Sequence, residues 1–358
     1  MNLRIPGPTP CPPDVLAAVG RQMMNHRGPE VAELTRRVVG GLRPFFRTES
    51  DIILLTASGT AGLEAAIVNT LSPGDPVLAV TTGVFGDRFA EIAEGYGADV
   101  TRLSFEWGTA VDPAEVSSAL AEKRFRAVLL THNETSTGVT SPLGEICESI
   151  HARSGPLLLV DAISSLGALP LATDALGLDV VVTGSQKAWG VPPGMAMLSV
   201  SERAWHAAST ARIPRFYLDL ERYRAPVREG QFPWTPSLPV LYGLEVALER
   251  MRLEGEEAIY ARHARVGAHT RAAVSALGLE LFADPRFASN TVTAVRVPEG
   301  IDGKALTRTL RERHATVVGG GQGKLTGKIF RLGHLGFVTV DDVDQALFAV
   351  SRALRERK

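Results

Sequence analysis

Short apolar runs alternate with longer amphipathic segments over the first two hundred residues. The runs have the length of strands and the longer segments have helical periodicity. The predicted strands are 51–56, 77–80, 127–131, 157–160 and 180–183, and the predicted helices between and before them are 15–24, 30–46, 61–71 and 87–96. The run at 157–160 is apolar at every position, which is typical of a parallel strand covered on both faces. The alternation predicts an α/β fold with a mostly parallel sheet.

The two ends of the chain have a different character. Residues 1–13 are rich in proline and glycine and predict an extended arm without regular structure, after which Asp14 is expected to cap the first helix. Residues 225–239 contain four prolines and predict a long functional loop. Helical periodicity from 240 to about 277 leads into a C-terminal α+β part. We therefore expect an arm at 1–13, a large domain at 14–250 and a small domain at 251–358.

An acid and an amine follow the ends of two neighbouring predicted strands. Asp161 ends the run that starts at Leu157, and Lys187 follows a second apolar run and a turn of small residues, with a short helix predicted between them. Strand ends line the ligand crevice of open α/β sheets. Trp189 and nearby prolines can desolvate the amine, lower its pKa and make it a nucleophile. A turn or cap role for Asp161 and a solvated Lys187 are the alternatives.

Composition limits the class of protein. The chain has 358 residues, 45% of them hydrophobic and 22% charged, as in a globular protein with a large core and two domains. The net charge of −1 gives no electrostatic basis for binding nucleic acid or an acidic membrane surface. Cys11 and Cys147 predict neither a disulfide framework nor a metal site. No apolar run approaches a membrane span, so we expect a cytoplasmic protein.

Three further stretches carry candidate chemistry. Ser58, Gly59 and Thr60 join a predicted strand to a helix, a junction that suits an anion, although a plain turn with an N-cap explains it too. Residues 131–138 are a dense polar cluster after a strand. Phe85 stands in a turn bracketed by glycines and is either exposed for a function or packed locally.

Two stretches near the C-terminus concern anion binding. Arg331 lies in a strand-like run, where its guanidinium requires a carboxylate, either a ligand or an internal partner. The glycine-rich residues 319–324 do not form a P-loop, because Leu325 stands where serine or threonine is required. We expect these residues to form a flexible loop near the site.

The motifs together carry a family resemblance. VDAISSLG at 160–167 and GSQKAWGVPPG at 184–194, with PGPTP at 6–10 and FRLGHLGF at 330–337, resemble the class V branch of fold-type I pyridoxal 5'-phosphate (PLP) aminotransferases. The alanine–glyoxylate and serine–glyoxylate (serine–pyruvate) group is the most similar. The resemblance covers nearly the whole chain. It implies a large domain with a seven-stranded sheet and a smaller C-terminal domain.

The resemblance also assigns roles to residues of this chain. Lys187 bonds the cofactor's aldehyde carbon, Asp161 keeps the pyridine nitrogen protonated, and Arg331 clamps the substrate carboxylate. The remaining cofactor contacts are Ser58, Gly59, Thr60 and Gln186 at the phosphate, Phe85 at the ring, Thr135 at the ring hydroxyl, and Ile163, with Gly7 at the substrate. Thr235 reaches the phosphate of the partner subunit in a homodimer. Phe232 lacks the hydroxyl that relatives use there.

The expected reaction is the transfer of an amino group. Alanine or serine donates it, glyoxylate or pyruvate accepts it, and Lys187 moves the Cα proton. A dicarboxylic donor would need a second cation, for which Arg27 and His26 are candidates. A non-catalytic PLP- or anion-binding protein is the alternative from another class. Cysteine desulfuration is disfavoured, because Cys11 lies in the arm and Cys147 in a predicted helix.

Overall fold

The computed structural model describes residues 1–151 and 155–356. Over these residues the strands β1 to β13 are, in chain order, Asn2–Arg4, Asp51–Leu55, Pro76–Thr81, Asp99–Ser104, Ala127–Thr131, Asn133–Glu134, Val139–Thr140, Leu157–Asp161, Val180–Gly184, Ala196–Val200, Val292–Arg296, Thr316–Gly320 and Ile329–Gly333. The helices α1 to α12 are Pro13–Val19, Pro29–Phe46, Gly59–Thr70, Val84–Gly95, Pro113–Glu122, Leu143–His151, Glu202–Ala208, Glu221–Arg228, Leu238–Glu254, Glu256–Ala276, Gly303–His314 and Val340–Arg355. Short 3-10 helices form at Pro285–Phe287 and Gly323–Leu325.

A seven-stranded sheet forms the centre of the large domain. Its strand order is β2-β10-β9-β8-β5-β3-β4, and β10 runs antiparallel to both of its neighbours. Alternate residues of one strand bury opposite faces: Leu158 and Val160 of β8 pack into one apolar cluster, and Leu157 and Leu159 pack into the other. This two-sided burial explains the continuous apolar runs, and it confirms the predicted mostly parallel sheet with helices on its faces.

A second sheet of four strands has the order β1-β12-β13-β11. Strand β1 pairs in parallel with β12, with Leu3 opposite Val317, so the expectation of an arm without regular structure is wrong for Asn2–Arg4. The backbone N–H and C=O groups of these residues complete a sheet edge, a pairing that proline and glycine content does not reveal. Helices α10 to α12 cover this sheet around the buried ring of Phe330.

Several predicted elements differ from the structure. Helix α1 ends at Val19 and has Pro12 as its N-cap, so Asp14 lies in the first turn instead of capping it. Turns replace the short helix expected after Asp161, and α8 occupies the first part of the loop expected at 225–239. The glycine-rich segment 319–324 is largely regular, since it ends β12 and begins a 3-10 helix. In each case tertiary contacts overrode the local composition.

The helical stretch from 240 to 277 is also divided. It forms α9 and α10, which meet at Gly255 with a φ of 84°. Within the described residues, none of the helices has the length and apolar character needed to cross a membrane.

Candidate active site

A cavity of about 250 Å³ opens at the edge of the large sheet where the parallel strands end. Asp161, the last residue of β8, and Lys187, three residues after β9, both line it. Adjacent parallel strands bring their carboxyl ends to one rim, which is why residues from two separate strand ends share a cavity. The other lining residues are Gly7, Ser58, Gly59, Thr60, Leu63, Phe85, Arg88, Asn133, Thr135, Ile163, Ser164, Gln186 and Gln322.

The Asp161 carboxylate is buried, with 4% of the residue exposed. Its Oδ1 accepts a hydrogen bond from the Ile163 backbone N–H at 2.9 Å. The pKa of Asp161 is raised to about 7, mainly by burial. The Ile163 N–H, Lys187 and Arg88 act to lower this pKa, and the nearby Glu134 carboxylate acts to raise it. Among the described residues, the Ile163 N–H is the one hydrogen-bond donor to this carboxylate, so a cationic N–H group in the cavity would be a favourable partner.

The Lys187 amine is covered by the N-terminal segment. Its Nζ donates to the Pro6 carbonyl at 2.5 Å, and the Thr9 hydroxyl donates to the Lys187 carbonyl at 2.8 Å. Gly7 lies between these contacts with a φ of 109°, and a Cβ there would come within 2.7 Å of Lys187 Cδ and Nζ. Burial lowers the pKa of Lys187 to about 8, which leaves a larger share of the amine unprotonated near neutral pH.

The N-terminus of α3 faces the same cavity. Ser58 is its N-cap residue, and its side chain makes no capping hydrogen bond. Ser58, Gly59 and Thr60 therefore present backbone N–H groups and the positive end of a twelve-residue helix to the cavity. The Gln186 side-chain Oε1 is buried nearby without a hydrogen-bond partner among the described residues. The free backbone N–H groups and the helix dipole make this end of the cavity suitable for an anionic group.

Arg331 of β13 approaches from the small domain and is 6% exposed. Its Nε donates to the Gly320 carbonyl at 2.9 Å and its Nη1 to the Thr135 carbonyl at 3.0 Å. Burial lowers its pKa to about 10, and Glu134 raises this pKa. Among the described residues, the hydrogen bonds of the Arg331 guanidinium go to backbone carbonyls and none goes to a carboxylate, so the internal ion pair considered from the sequence is not found there. Arg331 does not itself line the cavity. It donates to the carbonyl of Thr135, which does, and its charge helps to lower the pKa of Lys187.

Thr235 and Arg27 lie away from this cavity. Thr235 is exposed in the loop before α9, whose N-cap is Ser237, so an N-cap role for Thr235 is excluded. The Arg27 guanidinium donates to the carbonyls of Phe232 at 2.5 Å and Pro233 at 3.1 Å. Arg27 therefore holds this loop, and it does not line the cavity as a second cation.

The structure adds functional candidates that the sequence did not single out. Arg88 lines the cavity one helical turn after Phe85, with its guanidinium 4.9 Å from the centre of the Phe85 ring. Glu134 is buried, and its carboxylate accepts hydrogen bonds from the backbone N–H groups of Phe85 and Gly86. Gln322 lines the cavity from the connection between β12 and β13. Glu134 belongs to the polar run at 131–138, and nothing in that run distinguishes it from its neighbours. Arg88 could have been found from the sequence, because it lies three residues after Phe85, a spacing that places two residues on the same helix face.

The sequence profile of the Aminotransferase class-V family matches residues 5–340. The chain belongs to the class V aminotransferases. It is 40% identical over 346 residues to the serine–glyoxylate aminotransferase of Methylorubrum extorquens, covering 94% of this chain and 86% of that protein. It is 42% identical over 357 residues to a Synechococcus protein called soluble hydrogenase, small subunit, covering 99% and 93%. The crystal structure of the alanine–glyoxylate aminotransferase from Nostoc sp. superposes with a TM-score of 0.95 at 35% identity, covering 99% and 95%.

These comparisons confirm three predictions. The chain is a class V member, its fold is the fold-type I architecture, and the protein is an enzyme that acts as an aminotransferase. Its substrates are small molecules, amino acids and 2-oxo acids, and family membership implies a PLP cofactor. The individual roles of the cavity residues stay predictions.

Proposed function

We propose that this class V aminotransferase uses PLP to transfer an amino group from alanine or serine to glyoxylate or pyruvate. The observation that carries the proposal is the pair Asp161 and Lys187, a buried carboxylate and a buried amine on one cavity. Burial shifts their pKa values in opposite directions, to about 7 and about 8, so each resists its charged form until a partner arrives. One small heteroaromatic aldehyde with a basic ring nitrogen would satisfy both groups.

The chemistry of the lining residues fits PLP at each end. Asp161 would hold the protonated pyridine nitrogen, which answers its lack of positive charge. The α3 N-terminus, with Ser58, Gly59 and Thr60, would bind the phosphate, and the Gln186 side-chain amide would donate a hydrogen bond to it through its NH₂ group. The Phe85 ring and Ile163 would contact the cofactor ring, and Thr135 its hydroxyl. When bound, PLP supplies the electron sink for the bond changes at the substrate Cα.

Separate residues of the chain would bind the substrate and move its proton. Arg331 would bind the substrate carboxylate, since its guanidinium is oriented by the Gly320 and Thr135 carbonyls. Lys187, once exchanged for the substrate amine, would remove the Cα proton and return it to the cofactor carbon that bears the amino group. Its lowered pKa keeps the free amine available as a base. The segment from Pro6 to Thr9 would exclude water from this amine.

A homodimer with shared sites is part of the proposal. Thr235 is exposed and does not line the cavity of its own chain, which is compatible with a contact to the partner subunit's phosphate. Phe232 is buried and offers no hydroxyl for such a contact. The cytoplasmic location and the domain division near residue 250 also stay predictions.

The two alternatives differ in what they require. A dicarboxylic donor requires a second cation. Neither Arg27 nor His26 lines the cavity, and Arg88, the arginine that does, is stacked on the Phe85 ring. A binding protein without activity would have no need for a buried amine, a buried acid and an oriented guanidinium around one cavity. Transamination of a small donor is the function that uses all three groups.

The test is the visible absorption of the purified protein with PLP. We expect a band from the covalent Lys187–cofactor linkage that borohydride removes and that single amino acids bleach, alanine and serine most effectively. Lys187→Ala should lose the reducible band and at least about 10⁴-fold of the activity. Lys123→Ala is the matched control, because Lys123 is a surface residue paired with Asp99. A coloured protein that no amino acid bleaches would favour the binding-protein alternative, and an active Lys187→Ala would overturn the mechanism.

A further inference from the structure

Gln322 enters the cavity from the small-domain side. It lies between β12 and β13, two residues after Gly320, and its side chain lines the same cavity as Lys187. Its Oε1 is buried and has no hydrogen-bond partner among the described residues. A buried acceptor without a donor is unfavourable, so this amide is suited to a ligand that brings one.

The backbone around Gln322 is held in place. The Gly321 N–H donates to the Ile329 carbonyl at 3.0 Å, and the Leu325 N–H donates to the Gln322 carbonyl at 3.0 Å. A Cβ at Gly321 would overlap the Leu325 carbonyl, so the turn requires glycine. On the outside of the turn, the Lys324 ammonium lies 4.4 Å from the centre of the Trp107 ring. The turn therefore projects the Gln322 side chain into the cavity from a braced position.

The contacts around Gln322 indicate which part of a substrate it would meet. Arg331, the residue suited to the substrate carboxylate, donates through Nε to Gly320, two residues before Gln322. The amine of the substrate would lie at Lys187, and the segment at Pro6 and Gly7 covers the far side of Lys187. The amino-acid side chain would then extend from Cα towards Gln322, the lining residue that comes from the same side of the cavity as Arg331.

We propose that Gln322 is a specificity-determining residue that hydrogen bonds a hydroxyl group on the β-carbon of the amino donor, so that serine is preferred over alanine. This inference rests on the proposed transaminase function. A hydroxyl donates to the orphaned Oε1, whereas the alanine methyl group leaves that oxygen unsatisfied. A carboxylate side chain, as in aspartate, also brings no donor to it. Sites that hydrogen bond a substrate hydroxyl discriminate against analogues without it, here by about tenfold or more.

The kinetic test compares kcat/KM for L-serine and L-alanine with glyoxylate as acceptor. We expect wild-type enzyme to favour serine, and Gln322→Leu to reduce the serine-to-alanine ratio about tenfold through loss on serine, with alanine within about twofold. Gln322→Met, whose side chain has a similar length but no amide, should lower the serine-to-alanine ratio to the same extent as Gln322→Leu. Lys324→Ala is the matched control from the outer face of the same turn and should keep the wild-type ratio. An equal loss on both donors, an unchanged ratio, or a wild-type preference for alanine or aspartate would overturn the inference.

A binding measurement separates recognition from turnover. Calorimetric titration of the holoenzyme with 3-hydroxypropanoate and propanoate, which lack an amine, should show tighter binding of the hydroxylated acid by wild type and equal binding by Gln322→Leu. Equal binding by wild type would refute the role of Gln322. The two failures are distinguishable: an enzyme whose visible band no amino acid bleaches refutes the proposed function. An enzyme that transaminates with a ratio insensitive to Gln322 refutes only this inference.

Discussion

The Glu134 carboxylate accepts a hydrogen bond from the backbone N–H of Phe85 at 3.0 Å. The same Oε2 accepts from Gly86 at 3.1 Å, and the Ser136 hydroxyl accepts from the Val84 N–H at 3.0 Å. The first three N–H groups of α4 are thus satisfied by side chains that follow β5. The contact fixes the start of α4 and with it the Phe85 ring on the cavity wall. Glu134 is therefore a positioning residue.

Glu134→Gln should weaken cofactor binding. The amide NH₂ of glutamine would face backbone N–H donors on one side or the Ser136 N–H on the other, which costs about 1–3 kcal/mol per unsatisfied group. We expect the PLP dissociation constant of the cofactor-free protein to rise about tenfold or more in an absorbance titration. Glu115→Gln, at an exposed position of α5, should leave it unchanged. Equal affinities for Glu134→Gln and wild type would show that α4 is positioned by other contacts.

Gly7→Ala should disable the enzyme without unfolding it. The new Cβ would overlap Lys187 Cδ and Nζ in a backbone region that alanine rarely adopts. We expect at least about 100-fold loss of activity and a weaker borohydride-sensitive band. Gly40→Ala is the control, because Gly40 lies inside α2 and a Cβ added there would meet nothing within 4 Å. That variant should keep full activity and gain about 0.5–1 kcal/mol of stability. Normal activity of Gly7→Ala would contradict the close approach.

Asp161→Asn should stabilise the cofactor-free protein at high pH. Burial raises the pKa of Asp161 from 3.8 to about 7, so folding favours the protonated form. The charged carboxylate then destabilises the folded state most fully above pH 7, and the penalty shrinks as pH falls from 7 towards 4. Without PLP, the Tm of Asp161→Asn should exceed that of wild type by about 2 °C or more at pH 8 and converge at low pH.

With PLP present, wild type should have the higher Tm, because the asparagine of Asp161→Asn cannot hold the ring nitrogen as a cation. Thermal unfolding with and without PLP at pH 5, 6 and 8 measures both effects. A cofactor-free Asp161→Asn protein that is less stable than wild type at pH 8 would indicate that the carboxylate is already stabilised by partners in the folded state.

Arg331→Lys should impair substrate binding more than cofactor binding. Lysine keeps the positive charge but lacks the planar guanidinium. The guanidinium can bind a carboxylate while it also donates to the carbonyls of Gly320 and Thr135. We expect KM for the amino donor to rise about 100-fold, with PLP affinity within about twofold. Arg308→Lys, at an exposed position of α11, should change neither. An unchanged KM would remove Arg331 from the proposed carboxylate site.

Thr235→Ala should weaken PLP binding although Thr235 does not line the cavity of its own chain. In a dimer with shared sites, each phosphate depends on Thr235 of the partner subunit. Mixed dimers of Lys187→Ala and Thr235→Ala chains should then contain one intact site and one doubly altered site. Recovery of wild-type PLP affinity in half of the sites, measured after co-expression with two tags, supports the arrangement. A monomer by sedimentation, or unchanged affinity, would contradict it.

Local sequence predicted five of the seven strands of the large sheet but few of the contacts between elements. The apolar runs found β8 and β9 because both faces of these strands are buried, which makes the pattern strong. The edge strand β4 was missed because most of its residues are exposed, and β10 was missed although it is buried. Strand β1 was missed because its partner β12 lies at the other end of the chain.

What the sequence determined by itself was the fold class and the positions of Asp161 and Lys187 at strand ends, because strand periodicity and strand-end chemistry are local properties. The family followed from the resemblance of the motifs. Only the tertiary structure decided that Pro6 and Gly7 cover Lys187, that Glu134 caps the helix carrying Phe85, and that Gln322 faces the cavity with an unsatisfied oxygen. These relationships join residues from separate sheets and loops. Hydrogen-bond partners and burial depend on how the elements pack, and no window of the sequence contains that information.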